Sequence, residues 1–96
     1  MQTNISVEAI GDTEFRVTVS EGATQSEHRV TVKKKDYERI TSGKVDPGEL
    51  VKMSFEFLLR QESKESVLPQ FDLMAIARYF PTFEREINRR LTTMWP

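Results

Sequence analysis

The chain of 96 residues contains no cysteine, which excludes structural disulfides, thiolate nucleophiles and cysteine-ligated zinc or iron–sulfur centres. It has one histidine, His28, with no His-Glu-x-x-His spacing around it, so the common imidazole-based metal and acid–base constellations have no local framework. Glycine is scarce, at four residues, and none cluster into a nucleotide-cradling loop. Thr41-Ser42-Gly43-Lys44 comes nearest to the end of a phosphate loop, but Glu38 stands where the first glycine is required and Val45 replaces the Ser/Thr. No apolar run approaches the ~18 residues that a membrane helix needs. The opening Met1-Gln2-Thr3-Asn4 lacks the basic start and apolar stretch of a signal peptide. The expectation is therefore a cytoplasmic protein with no cofactor, no metal and no evident small-molecule ligand.

What is present fits one globular domain spanning residues 1–96: 38% hydrophobic and 30% charged residues, in a chain long enough to bury one modest core. Net charge is −1 but uneven. Residues 1–27 carry a balance of −4, residues 28–45 a balance of +4, residues 46–72 −3 and residues 73–96 +2. A whole-protein attraction for nucleic acid is not expected, although a local basic patch is.

Hydrophobic periodicity changes partway along. Ile5, Val7 and Ala9 alternate with polar residues, as do Phe15, Val17 and Val19, and then His28, Val30 and Val32. These period-two runs predict an antiparallel meander of two to three strands within residues 5–33, apolar on one face. Lys35 to Thr41 reads as a short helix stopped by Ser42-Gly43. Asp46-Pro47-Gly48-Glu49 is a helix start, with a capping carboxylate followed by proline at the first helical position. That helix should run to about Gln61. Ser63 to Leu68 predicts a helical turn, Asp72 a cap for a helix over Leu73 to Tyr79, and Phe83, Ile87, Leu91 and Met94 the apolar stripe of a last helix. Glu86 and Arg90 have the spacing of an ion pair on it. The expected fold is α+β in two layers, an N-terminal antiparallel meander covered by helices from residues 35–93.

The helix from Pro47 has an apolar surplus. Leu50, Val51, Met53, Ser54, Phe55, Phe57, Leu58 and Leu59 cover an arc of about 240° at ~100° per residue. Only Glu49, Lys52, Glu56 and Arg60 make a polar stripe. Such a helix should lie at the centre of the molecule, and whatever the domain cannot cover a second subunit must. Met53 and Phe57 are accordingly the expected partner contacts, together with Trp95, an aromatic one residue from the end that can anchor a partner or fold back as a lid.

Two other groups of residues bear on chemistry. Glu62, Glu65 and Asp72 offer carboxylate pairs for general acid–base work, but fifteen acids on a small surface make solvated charge the better reading. His28 falls on the inward phase of its strand and reads as a structural histidine. The basic segment beginning at Arg29 presents Arg29, Thr31, Lys33, Lys34 and Lys35 ahead of a short helix, a turn and a longer helix. This order resembles the ribbon–helix–helix DNA-binding family over residues 28–62. The resemblance implies that paired strands of a dimer would bring these residues into the major groove.

A second resemblance lies further on. Ser54-Phe55-Glu56-Phe57-Leu58-Leu59, Lys64-Glu65-Ser66, Phe71-Asp72-Leu73 and Arg78-Tyr79-Phe80-Pro81 are similar, in order and spacing, to segments of a family of small uncharacterised bacterial proteins. Pro69 departs from that family's usual pattern. The family brings no activity, cofactor or catalytic residue. The resulting expectation is a non-enzymatic protein-interaction module, self-associating as a homodimer, with a ribbon–helix–helix-like DNA-binding role as the alternative.

Overall fold

The computed structural model describes residues 3–94. Three strands, β1 (Thr3–Ala9), β2 (Glu14–Glu21) and β3 (Thr24–Thr31), form the antiparallel meander. Helices α1 (Lys34–Thr41) and α2 (Pro47–Gln61) come next, then a single 3-10 turn at Lys64–Ser66. A fourth strand, β4 (Gln70–Asp72), runs parallel to β3, and helices α3 (Ala75–Tyr79) and α4 (Phe83–Met94) follow, the last of the described elements. The sheet order is β1-β2-β3-β4. The fold is thus the expected α+β arrangement, extended by a short strand that the sequence pattern does not announce.

Period-two patterning sets the faces of the sheet. Ile5 lies opposite Val19, Val7 opposite Val17, and Phe15 opposite Val30, all on the side that meets the helices. Glu8, Arg16, Glu27 and Arg29 lie on the other face, exposed. β2 and β3 are joined by the two-residue loop Gly22-Ala23. Only Gly22 has a positive φ, 61°, the pattern of a type II′ turn, where the first loop position favours glycine.

Local chemistry starts α2 and stops α1 as expected. Asp46 caps α2, its Oδ1 accepting the Glu49 N–H at 2.8 Å, with Pro47 in the first turn. Ser42 and Gly43 both take positive φ and end α1. Asp72 does not cap a helix from Leu73: its Oδ1 accepts the Met74 N–H at 2.9 Å and α3 begins only at Ala75. The Glu86–Arg90 pairing is replaced. Arg90 reaches across to Glu56 of α2 at 2.7 Å, and Glu86 pairs with Arg89 at 3.6 Å.

α2 runs through the middle of the core, and its wide apolar arc is used on two sides. Phe55 stacks towards the sheet, with ring centroids 5.4 Å from His28 and 6.0 Å from Phe71. Phe57, two residues on and so about 200° around the helix, packs among the later helices, 5.5 Å from Phe83 and 6.0 Å from Phe80. Ser54 is buried on the same helix with its hydroxyl returned to the Leu50 carbonyl at 2.8 Å, which removes the cost of an unpaired polar group. Met53 and Phe57 are each only 1% exposed. Neither is available on the surface for a partner: both lie inside the chain's own core, Phe57 against Phe80 and Phe83. Trp95 lies outside the described residues.

Candidate functional site: an apolar groove beyond the second helix

The segment after α2 is held to the sheet by a few bonds. At Glu62 the chain leaves the helix in extended conformation (φ −154°, ψ 166°). Lys64 then turns inward and is 3% exposed, its ammonium 3.5 Å from Glu21 at the end of β2 and hydrogen-bonded to Glu65. The bond to Glu65 holds the Lys64 ammonium above the ordinary lysine range, with Glu21 adding to it, and the same bond pulls the Glu65 carboxyl below the usual carboxylate range. Two residues past the turn, the Leu68 carbonyl accepts a hydrogen bond from Nδ1 of His28 at 2.8 Å. On the other side of the ring, Nε2 is hydrogen-bonded to the Ser26 hydroxyl at 2.8 Å. His28, 3% exposed, therefore joins two segments forty residues apart, the structural role expected of it. The Arg29 N–H donates to the Pro69 carbonyl at 2.8 Å, and the Leu73 N–H to the Thr31 carbonyl at 2.8 Å, so that β4 lies alongside β3. Proline at position 69 loses no ladder bond, since it acts there through its carbonyl.

This path leaves a groove of about 430 Å³ between the end of α2, the 66–71 segment and α3. Leu58, Val67 and Ile76 are its buried floor, and Phe71, Ala75 and Phe80 are half-buried along it. Its lips carry Leu68, 50% exposed, and Tyr79, 71% exposed, the two large hydrophobic side chains that stand out on the described surface. Glu62 is the one charged residue in the lining, and Ser66 adds a hydroxyl. Glu62 has no salt-bridge partner among the described residues. The lining can bury apolar groups and pair one cation. It holds no base beside a nucleophile and no second carboxylate facing the first.

The other residues singled out by sequence are dispersed. Glu65 is engaged by Lys64, and Asp72 bonds the Met74 N–H and lies 3.7 Å from Lys33, so the three carboxylates do not converge. Among the described residues no group of three or more His, Cys, Asp or Glu side chains gathers as a metal site would require, and no helix is long and apolar enough to cross a membrane. The basic segment divides. Arg29 and Thr31 lie in β3, while Lys33 precedes α1 and Lys34 and Lys35 form its first turn. Arg29 sits on the outer sheet face opposite Arg16, which is itself paired with Glu8 at 3.1 Å and Glu27 at 3.5 Å. From Arg29 to Thr31, β3 is bonded to β2 on one side and β4 on the other. A ribbon–helix–helix strand must offer a free edge to its twin, and here that stretch of β3 has none.

The groove went unforeseen because its two exposed lips are ordinary residues in a loop and a short helix. The available signal was Val67-Leu68-Pro69, an apolar run outside any periodic element. Compared with protein-family models, curated proteins and solved structures, the chain matches none.

Proposed function

We propose that this protein is a non-enzymatic interaction module that receives a short segment of a partner protein in the groove between α2 and α3. The observation that carries this reading is the pairing of Leu68 and Tyr79, exposed over a buried apolar floor, with Glu62 at the rim. Exposed apolar side chains gathered around a concavity favour association, and a lone carboxylate beside them selects a basic residue in the incoming segment. The occupant is thus a peptide with one or two bulky apolar anchors next to a lysine or arginine.

Selection of random displayed peptides against the protein, with counter-selection against Leu68→Glu, tests the proposal. The expected outcome is an enriched apolar-plus-basic pattern whose binding falls at least about tenfold with Leu68→Glu and, less steeply, with Glu62→Gln. Failure to enrich any peptide sensitive to Leu68→Glu would overturn it.

A further inference from the structure

We infer that β1 is the seam of a homodimer, in which the β1 strands of two copies pair antiparallel about Ser6 and join two four-stranded sheets into one of eight. The observations are independent of the groove, which lies towards the opposite, β4 side of the sheet.

The two outer strands of the sheet are treated differently. β4 has three residues and directly follows Pro69, so it offers little ladder to a newcomer. β1 has seven residues, about 23 Å of strand. Proteins blunt such edges with charged side chains, above all lysine, with proline, bulges or inward-pointing charge, or with a covering helix or loop. The one charge on β1 is Glu8, on the outer face near its end. β1 has no Lys, Arg, Pro or Gly, and it matches β2 one residue to one from Thr3 to Ala9 without a bulge. Among the described residues no strand pairs with its outer edge. Its inward side chains Ile5 and Val7 remain half-exposed at that rim, although they pack on the core.

Hydrogen-bond phase and side-chain order agree on one register. The Ile10 N–H donates to the Glu14 carbonyl at 2.9 Å, so Ile10 and Glu14 are a hydrogen-bonded pair of the antiparallel ladder. Asn4, Ser6 and Glu8 share that phase and turn their backbone groups to β2. Thr3, Ile5, Val7 and Ala9 therefore point theirs outward. Centring two copies on Ser6 sets Ile5 opposite Val7 twice and Thr3 opposite Ala9 twice, all as hydrogen-bonded pairs, giving about eight new backbone bonds. Asn4 then faces Glu8 on the outer side, an amide against a carboxylate. A one-residue slip would set Ile5 and Val7 against polar residues and throw the two helical layers onto opposite faces. A slide centred on Val7 would leave Thr3 and Asn4 unpaired, and one centred on Glu8 would oppose like charges. Only the Ser6-centred pairing uses all seven residues, and it is self-complementary, as a two-fold interface must be.

The absence of cysteine makes the test clean. Ser6 is exposed and would meet its own copy at a non-hydrogen-bonded position, with Cα atoms about 4.5 Å apart, within disulfide reach. Mild oxidation of Ser6→Cys should yield a covalent dimer, whereas Thr18→Cys, its exposed-face neighbour on β2, should remain single. Sedimentation of the unmodified protein from about 1 µM to about 500 µM should show the doubled mass at the upper end. Ser6→Lys, which opposes two ammonium groups at the axis while leaving the β2 ladder intact, should raise the dissociation constant at least about tenfold with unchanged circular dichroism. A single-chain mass throughout that range, or equal cross-linking of both cysteine variants, would overturn the inference. Leu68→Glu should leave the doubled mass intact, so failure of the groove and failure of the seam are told apart.

Discussion

The apolar arc of α2 and the apolar lips of the groove make opposite use of the same kind of side chain. Met53 and Phe57 belong to a helix with more apolar surface than one contact can cover, yet both are sealed inside the chain. Leu68 and Tyr79 come from a loop and a five-residue helix with no conspicuous pattern, yet they are left in solvent. The difference lies in the path of the later chain. α4 and Phe80 return over α2 and close its second side, whereas nothing in the described chain returns over the segment after it. The apolar width of a helix measures how much must be covered. It does not say whether the partner is a later part of the same chain.

Truncating the sealed side should break this comparison most violently. Phe57→Ala removes a fully buried ring between Phe80 and Phe83 and should cost about 3–5 kcal/mol, against a total of about 5–15 kcal/mol for a domain of this class. Chemical denaturation reads this directly. His28→Ala, which cuts the tie to the Leu68 carbonyl and leaves it and the Ser26 hydroxyl without their partner, should cost about 1–3 kcal/mol. It should also weaken peptide binding in the groove, because Leu68 loses its anchor to the sheet. Asp46→Ala, a change at the far end of α2 from the groove, should cost about 1 kcal/mol through the lost cap and leave groove binding unchanged.

The Lys64 tether gives a pH signature. The lowered Glu65 carboxyl contributes stability above the ordinary glutamate range, and that contribution is lost as pH falls through its depressed value. The raised Lys64 ammonium contributes stability below the ordinary lysine range, lost as pH rises through its elevated value. Denaturation midpoints between about pH 3 and about pH 12 should therefore form a plateau with a shoulder at each end. Lys64→Met should remove the alkaline shoulder and reduce the acid one, since a backbone hydrogen bond also lowers the Glu65 carboxyl. Smallest of all, Tyr79→Ser should change stability by no more than about 0.5 kcal/mol, since the ring stands mostly in water, while abolishing selection of groove-binding peptides.

The parts of the fold legible in the sequence are those fixed within a few residues. Asp46-Pro47 starts α2 and Ser42-Gly43 stops α1 because capping and positive φ are local properties. Phe15, Val17 and Val19 announce their strand because alternation is local too. β4 is different in kind. Gln70, Phe71 and Asp72 are a strand only because Arg29, Val30 and Thr31 lie beside them, and no pattern of three residues can carry that. Arg90 likewise had a plausible partner four residues away in Glu86 and takes Glu56 instead, since the packing of α4 on α2 brings that carboxylate to 2.7 Å. The groove was illegible for the same reason, its lips being defined by what fails to cover them.

Met53 offers the most direct test of whether this chain closes its own core. Its thioether can be followed by peroxide oxidation and mass spectrometry, with a free methionine peptide as the fully accessible reference. If α4 and its neighbours supply the cover, Met53 should resist oxidation equally at about 1 µM and about 500 µM protein, whatever the state of the β1 seam. Protection that appears only at the higher concentration would show that a second subunit provides the cover, and would contradict the account.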